Sequence, residues 1–296
     1  MRNRTVGSWL GPLLRALRPL QWVKNGLVFA APLFAYKITA EAFLPSMAAF
    51  AVFCAVSSGT YLVNDLFDLQ QDRLHPVKQH RPLASGALSR GRAMAAAFLL
   101  LSGGLVSSLR VGFWLFTVVG AYLTVQALYN LAFKHVLILD IMALASGFLL
   151  RAVAGGVAAR VPLSPWFLFC VAILALYVGL QKRKSELTRM NDSGVTTRPI
   201  LRQYSIAYLR QIETALLACI LMGYSLWTIQ GAKTNWMMIS VPFVLYGILR
   251  YQYLSQGEIL ERPEEVLFKD KPLLLNLVLW VLTCFVILGI NHLSRH

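Results

Sequence analysis

The chain has 296 residues, 57% of them hydrophobic and only 14% charged, with a mean hydropathy of +0.59. Soluble domains carry about one-quarter charged residues, so a water-soluble globular domain is excluded. The formal net charge of +15 does not mark a nucleic-acid binder, because the basic residues fall between apolar runs, the pattern of cytoplasmic loops against anionic headgroups.

Residues 1–25, with Arg15, Arg18, Trp22 and Lys24, read as a basic, partly amphipathic helix at the membrane interface. Apolar runs near span length follow at about 26–44, 46–63, 93–109, 112–131, 137–157, 165–181, 206–229, 234–252 and 272–292. They predict an all-α polytopic membrane protein: about nine transmembrane helices in a single domain over 1–296, with long polar loops at about 64–92, 182–205 and 253–271. With the N-terminus inside, the inner segments hold 22 Lys and Arg and the outer ones 5. That imbalance predicts N-inside, C-outside topology, with all three long loops cytoplasmic. No internal repeat of the kind that builds inverted-repeat transporters is visible. Cys54, Cys170, Cys219 and Cys284 lie in apolar segments without CxxC spacing, so neither a disulfide framework nor a zinc site is expected.

The chemistry concentrates in YLVNDLFDLQQDRLHPVKQHRPLASG, residues 61–86. Asp65, Asp68 and Asp72 are spaced i, i+3, i+7, which on one helix stacks three carboxylates on a single face. Such stacked charges repel. A hard divalent cation bound through oxygen, above all Mg²⁺ bridging to a phosphate, removes the repulsion, with Asn64 beside it as a further oxygen ligand. The ordinary alternative is a solvated acidic helix end. Lys78 and Arg81, just downstream, suit phosphate binding, as does Lys24.

A second polar cluster, QKRKSELTRMND (181–192), places Lys182 and Glu186 at i, i+4 with Arg183 between them. It reads either as a topogenic basic cluster or as a phosphate clamp facing the aspartates. Tyr129, Asn130, Lys134, His135 and Asp140 join the fourth and fifth runs, and Arg151 follows eleven residues after Asp140 in the same apolar run. Ionisable groups at membrane depth are costly and face a cavity or a partner. Asp140 and Arg151 are therefore site candidates, with buried structural pairing as the alternative. The last polar loop, with Glu258, Glu264, Glu265 and Asp270, reads as solvated. P-loop, GxGxxG, HExxH and GxSxG motifs are all absent.

Asn64-Asp65-x-x-Asp68-x-x-x-Asp72 resembles the NDxxDxxxD motif of the UbiA superfamily of intramembrane prenyltransferases, nine-helix proteins that bind Mg²⁺-diphosphate in a cytoplasm-facing cavity. Commoner members carry a second aspartate-rich motif after the sixth span, where this chain reads Lys182-Arg-Lys-Ser-Glu186. The chain is most similar to the superfamily's phosphoribosyltransferase branch, through LRPLQWVKN (17–25), residues 61–86, LDIMALASGFLLRAVAGGVAA (139–159), KRKSEL (182–187), RPILRQYS (198–205) and RPEEVLFKD (262–270). The resemblance implies transfer of 5-phosphoribose from phosphoribosyl pyrophosphate to a polyprenyl phosphate in a bacterial inner membrane. Mg²⁺ would sit on Asp65, Asp68, Asp72 and Asn64, with Asp140 as a further catalytic carboxylate. Substrate contacts would come from Lys24, Lys78, Arg81, Tyr129, Lys134, Arg151, Lys182, Arg183 and Glu186. Two other readings stay open: an aromatic prenyltransferase using a polyprenyl diphosphate, and a transporter.

Overall fold

The computed structural model describes residues 9–37, 39–75, 77–193, 199–232, 234–255, 266 and 269–293. The chain is an all-helical membrane protein. Among the described residues, seven helices are long and apolar enough to cross a bilayer. In chain order they are α3 (Ala40–Phe67), α5 (Arg90–Val111), α6 (Phe113–Leu131), α7 (Leu139–Ala158), α8 (Pro165–Ser193), α9 (Ile206–Leu226, prolonged by a π-turn Trp227–Gly231) and α11 (Lys271–Leu293). The shorter helices are α1 (Leu10–Ala16), α2 (Ala30–Phe34), α4 (Leu69–Leu74) and α10 (Val241–Ser255). Large apolar side chains such as Phe98, Leu131, Met222 and Ile290 are exposed on the outside of the bundle. In a chain of this composition, that surface meets lipid.

The two remaining expected spans, 26–44 and 234–252, are composite rather than continuous. The first is a 3₁₀ helix, Pro19–Phe29, running into α2. The second is a 3₁₀ helix, Asn235–Ser240, running into α10, whose second residue is Pro242. Proline lacks the N–H a continuing helix needs, so Pro19 and Pro242 both sit where a helical segment begins. The break expected near Pro45 does not occur. Pro45 lies inside the 28-residue α3, which begins at Ala40 with Glu41 in its first turn.

The lead-in also differs from a single interfacial helix. Only Leu10–Ala16 is α-helical, and Arg18 takes a left-handed backbone (φ 55°) that turns the chain into the bundle. Trp22 Nε1 donates to Ser58 Oγ at 3.0 Å, Ser58 Oγ donates to the Leu17 carbonyl at 2.9 Å, and Val28 is fully buried among α3, α6 and α7. At Gly155, one turn beyond Arg151, a Cβ would fall on the Val28 carbonyl, so only glycine lets α7 meet this segment so closely.

The cluster at 181–192 is not a loop, because α8 carries it as its last three turns. Of the expected polar loops, residues 194–198 and 256–265 lie outside the described residues, including Glu258, Glu264 and Glu265.

Candidate active site

The aspartate row lies across a helix break. Asp65 occupies the last turn of α3, Asp68 ends it, and Asp72 belongs to α4. Backbone bonds continue through the bend, Asp68 N to the Asn64 carbonyl at 2.9 Å and Asp72 N to the Asp68 carbonyl at 2.8 Å, so the three side chains stay on neighbouring turns. Asp65 and Asp72 are buried, at 2% and 3% exposure.

Four cations from three segments meet this row. Arg81 Nη1 donates to Asp65 Oδ1 at 3.0 Å and to Asp72 Oδ2 at 2.6 Å, bridging the two ends. Arg18 Nη2 donates to the same Asp65 oxygen at 2.5 Å, its guanidinium over the Tyr61 ring at 5.0 Å. Lys134, in the 3₁₀ turn after α6, donates to Asp68 Oδ1 at 2.9 Å, and Lys78 Nζ lies 4.0 Å from Asp72 Oδ1. Four cations against three carboxylates leave a surplus of positive charge at the row, which suits an anionic phosphate arriving there.

All donors in the row are oxygens, as a hard cation requires. Among the described residues, however, no group of three His, Cys, Asp or Glu is drawn together to hold an ion. The expected set of Asn64, Asp65, Asp68 and Asp72 is thus not a closed protein cage. It fits a cation that keeps water and shares its shell with a substrate phosphate, which is how Mg²⁺ is held. Asn64 and Lys24 are both half-buried, Lys24 in the 3₁₀ lead-in.

The second cluster forms a buried network. Arg183, fully buried, donates from Nε to Asp140 Oδ2 at 2.5 Å, from Nη1 to Glu186 Oε2 at 2.6 Å and from Nη2 to the Tyr129 hydroxyl at 3.4 Å. Tyr204 donates to Asp140 Oδ1 at 2.6 Å and accepts from the Ile138 N–H at 2.9 Å. Burial, and then the bond to Asp140, push the Tyr204 hydroxyl above its ordinary pKa, so it remains a donor at physiological pH.

Two expectations change here. Asp140 is 0% exposed, with one oxygen on Arg183 and the other on Tyr204, which is the buried pairing given above as the alternative to a catalytic role. Arg183 is likewise consumed by two carboxylates rather than presented to a phosphate, which also commits Glu186 and Tyr129. Lys182 is half-buried on the same helix end. Arg151, 5% exposed, is at membrane depth in α7 and meets Asn25, Gly147 and Tyr122.

Sequence reading missed Arg18 and Tyr204 as site residues. Arg18 had a weak signal in the Arg-Pro pair that turns the lead-in. Tyr204, 64 positions from Asp140, had none beyond its place in RPILRQYS.

Bundle and site define an integral membrane protein with a carboxylate row, ringed by cations, at one end of its helices. The chain belongs to the UbiA prenyltransferase family, whose model matches residues 26–278. It is 37% identical over 290 residues to the decaprenyl-phosphate phosphoribosyltransferase of Mycolicibacterium smegmatis, covering 91% of this chain and 90% of that one. The protein of the same name from Corynebacterium glutamicum is 39% identical over 280 residues, covering 91% and 84%. Among solved structures, a UbiA homolog from Archaeoglobus fulgidus bound to DMAPP and Mg²⁺ superposes with a TM-score of 0.71 at 18% identity, covering 94% of this chain and 99% of that one. That likeness concerns the fold.

Proposed function

We propose that this protein is an intramembrane transferase that moves 5-phosphoribose from phosphoribosyl pyrophosphate to a polyprenyl phosphate, releasing pyrophosphate. The observation that carries the reading is an asymmetry of charge. The acidic row, Asp65 to Asp72, is ringed by Arg18, Lys78, Arg81 and Lys134 on three segments, while Asp140, Glu186 and Glu213 are tied up by the basic residues of α8 itself, the first two by Arg183 and the third by Lys184. A prenyl-diphosphate enzyme of this fold would use a second acidic motif here. Likeness to phosphoribosyltransferases over nine-tenths of the chain supports the same choice.

In the reaction, the ribose C1–O bond to pyrophosphate breaks with both electrons leaving on pyrophosphate, and a lipid phosphate oxygen forms the new bond to C1. Asp65, Asp68 and Asp72, beside Asn64, would hold Mg²⁺, which would supply the positive charge that makes pyrophosphate a better leaving group. Arg18, Arg81 and Lys134 exchange their carboxylate partners for donor phosphate oxygens, and Lys24, Lys78 and Lys182 are the further lysines assigned to phosphate contact. The acceptor phosphate is already anionic at neutral pH, so it needs orientation rather than a base. The active site faces the cytoplasm of a bacterial inner membrane, where the soluble donor arrives, and the lipid acceptor enters laterally.

The test supplies purified protein with labelled phosphoribosyl pyrophosphate, Mg²⁺ and a polyprenyl phosphate and follows label into the lipid fraction. The rival assay supplies a prenyl diphosphate with an aromatic acid. Product only in the rival assay would overturn the reading.

A further inference from the structure

Three polar stripes run from the aspartate end of the bundle toward its middle. On α3, Asp65, Tyr61, Ser58, Ser57 and Cys54 share a face. On α6, Tyr122, Gln126 and Asn130 recur at i, i+4, i+8. On α7, Asp140, Gly147 and Arg151 recur at i, i+7, i+11. The stripes meet at Arg151, three turns or roughly 16 Å along α7 from Asp140. Its guanidinium donates from Nε to Asn25 Oδ1 at 2.7 Å, from Nη1 to the Gly147 carbonyl at 2.6 Å and from Nη2 to the Tyr122 hydroxyl at 3.2 Å. Asn25, 1% exposed, donates in turn to Cys54 Sγ and Ser57 Oγ, both at 3.3 Å.

Every one of these partners is neutral. Rings of Tyr122, Phe53 and Phe148 lie 5.0, 5.8 and 5.8 Å from the guanidinium carbon, and among the described residues no carboxylate pairs with it. Arg183, the other deeply buried arginine, is neutralised twice over. A buried charge without a counter-ion costs several kcal/mol, and neutral hydrogen bonds and ring faces offset only part of that. The chain also leaves space beside this cation. Gly147 has no side chain where a Cβ would lie 3.2 Å from Arg151 Nη1 and 3.6 Å from Gln126 Nε2. Further along the same α6 stripe, Asn130 is 8% exposed and its Oδ1 has no hydrogen-bond partner. A buried cation lacking its anion and a buried acceptor lacking its donor thus lie on one polar lining.

We propose that Arg151 binds the phosphomonoester group of a substrate at membrane depth, separate from the diphosphate held at the aspartate row. The inference rests on the phosphoribosyl-transfer reading, which brings two such groups to the site: the 5-phosphate of the donor and the headgroup of the polyprenyl acceptor. Both are dianions in need of a counter-charge. Arginine side chains lean toward their helix N-terminus, and the bond to Gly147, one turn back, shows this one reaching toward the aspartate end of α7. Arg151 still has two N–H groups to donate beyond its three bonds, enough for a two-point grip on phosphate.

The experiment uses the full chain in detergent, as wild type, R151K and R151M. KM is measured separately for donor and acceptor, and melting temperature with and without ribose 5-phosphate or a short polyprenyl monophosphate. Expected is a rise of about tenfold or more in one KM, with the other unchanged, and loss of stabilisation by the probe bearing the same phosphate. A rise for the acceptor assigns Arg151 to the lipid headgroup, and a rise for the donor to the 5-phosphate. Wild-type KM values for both substrates in R151K, or an equal rise in both, would overturn the proposal and leave Arg151 a purely structural tie for the lead-in. R151K decides the matter even where R151M fails to fold. Absence of label transfer by wild type would sink the reaction, whereas the ligand-induced melting shifts would still report on Arg151.

Discussion

Asp68 differs from its neighbours in the row. Its side chain is 19% exposed, against 2% for Asp65 and 4% for Asp72, and its one ionic partner is the flexible Lys134 rather than an arginine. It is the carboxylate most easily surrendered to a metal, and removing it disturbs the fold least. Asp68→Ala is expected to lower turnover by about a thousandfold or more while melting within a few degrees of wild type. Wild-type turnover in the purified variant would remove Asp68 from the metal site. Tyr204 makes the opposite case. Tyr204→Phe strips Asp140 Oδ1 and the Ile138 N–H of their shared partner inside the protein, a loss of about 1–3 kcal/mol, with both KM values unchanged. A thermal melt beside steady-state kinetics separates the two outcomes. At this scale the acidic row was legible because its charges sit within eight residues, where spacing alone brings them together. Arg18 on Asp65 and Tyr204 on Asp140 close over 47 and 64 positions, and no local pattern encodes such a meeting.

Elements were legible where apolar runs were continuous and less so where the chain changes helix type. The runs at 93–109, 112–131 and 137–157 became α5, α6 and α7; α5 gains Arg90, Gly91 and Arg92 at its start, and α6 and α7 fall within two residues of the expected bounds. The 3₁₀ segment Pro19–Phe29 was read as the end of one helix and the start of another, because its conformation comes from tertiary ties: Trp22 on Ser58, Asn25 on Arg151, and Val28 against Gly155. The start of α11 shows a local device at work. Asp270 accepts from the Leu273 N–H at 2.8 Å, an N-cap, while Arg250 of α10 donates to its other oxygen at 2.9 Å. The bond from Arg250 is the main cause that holds the Asp270 carboxyl below its ordinary value. A depressed folded-state pKa means the contribution is present above the unfolded value and is lost as pH falls through the carboxylate range. Asp270→Ala is expected to cost about 1 kcal/mol of cap stability at neutral pH. The gap from wild type should narrow in melts taken at progressively lower pH through that range. A gap constant with pH would show that the ionised carboxylate contributes nothing.

For the whole molecule, the charge distribution and the site make one claim about orientation. All four cations on the carboxylate row, Arg18, Lys78, Arg81 and Lys134, fall in segments that the positive-inside rule assigns to the cytoplasm, as does Lys24, half-buried in the lead-in. In the proposed reaction the charges that orient the chain are also the charges that collect phosphate, so the charge pattern of the loops bears on both. A soluble, highly charged donor can reach such a site only from the cytoplasmic side. Single cysteines placed at Arg160, between α7 and α8, and at Arg90, at the start of α5, in a chain otherwise freed of its four cysteines, test this with a membrane-impermeant thiol reagent on intact cells. Labelling is expected at 160 before permeabilisation and at 90 only after it. The reverse pattern would put the aspartate row on the outer face, where phosphoribosyl pyrophosphate is not supplied, and the proposed reaction would fail with the topology.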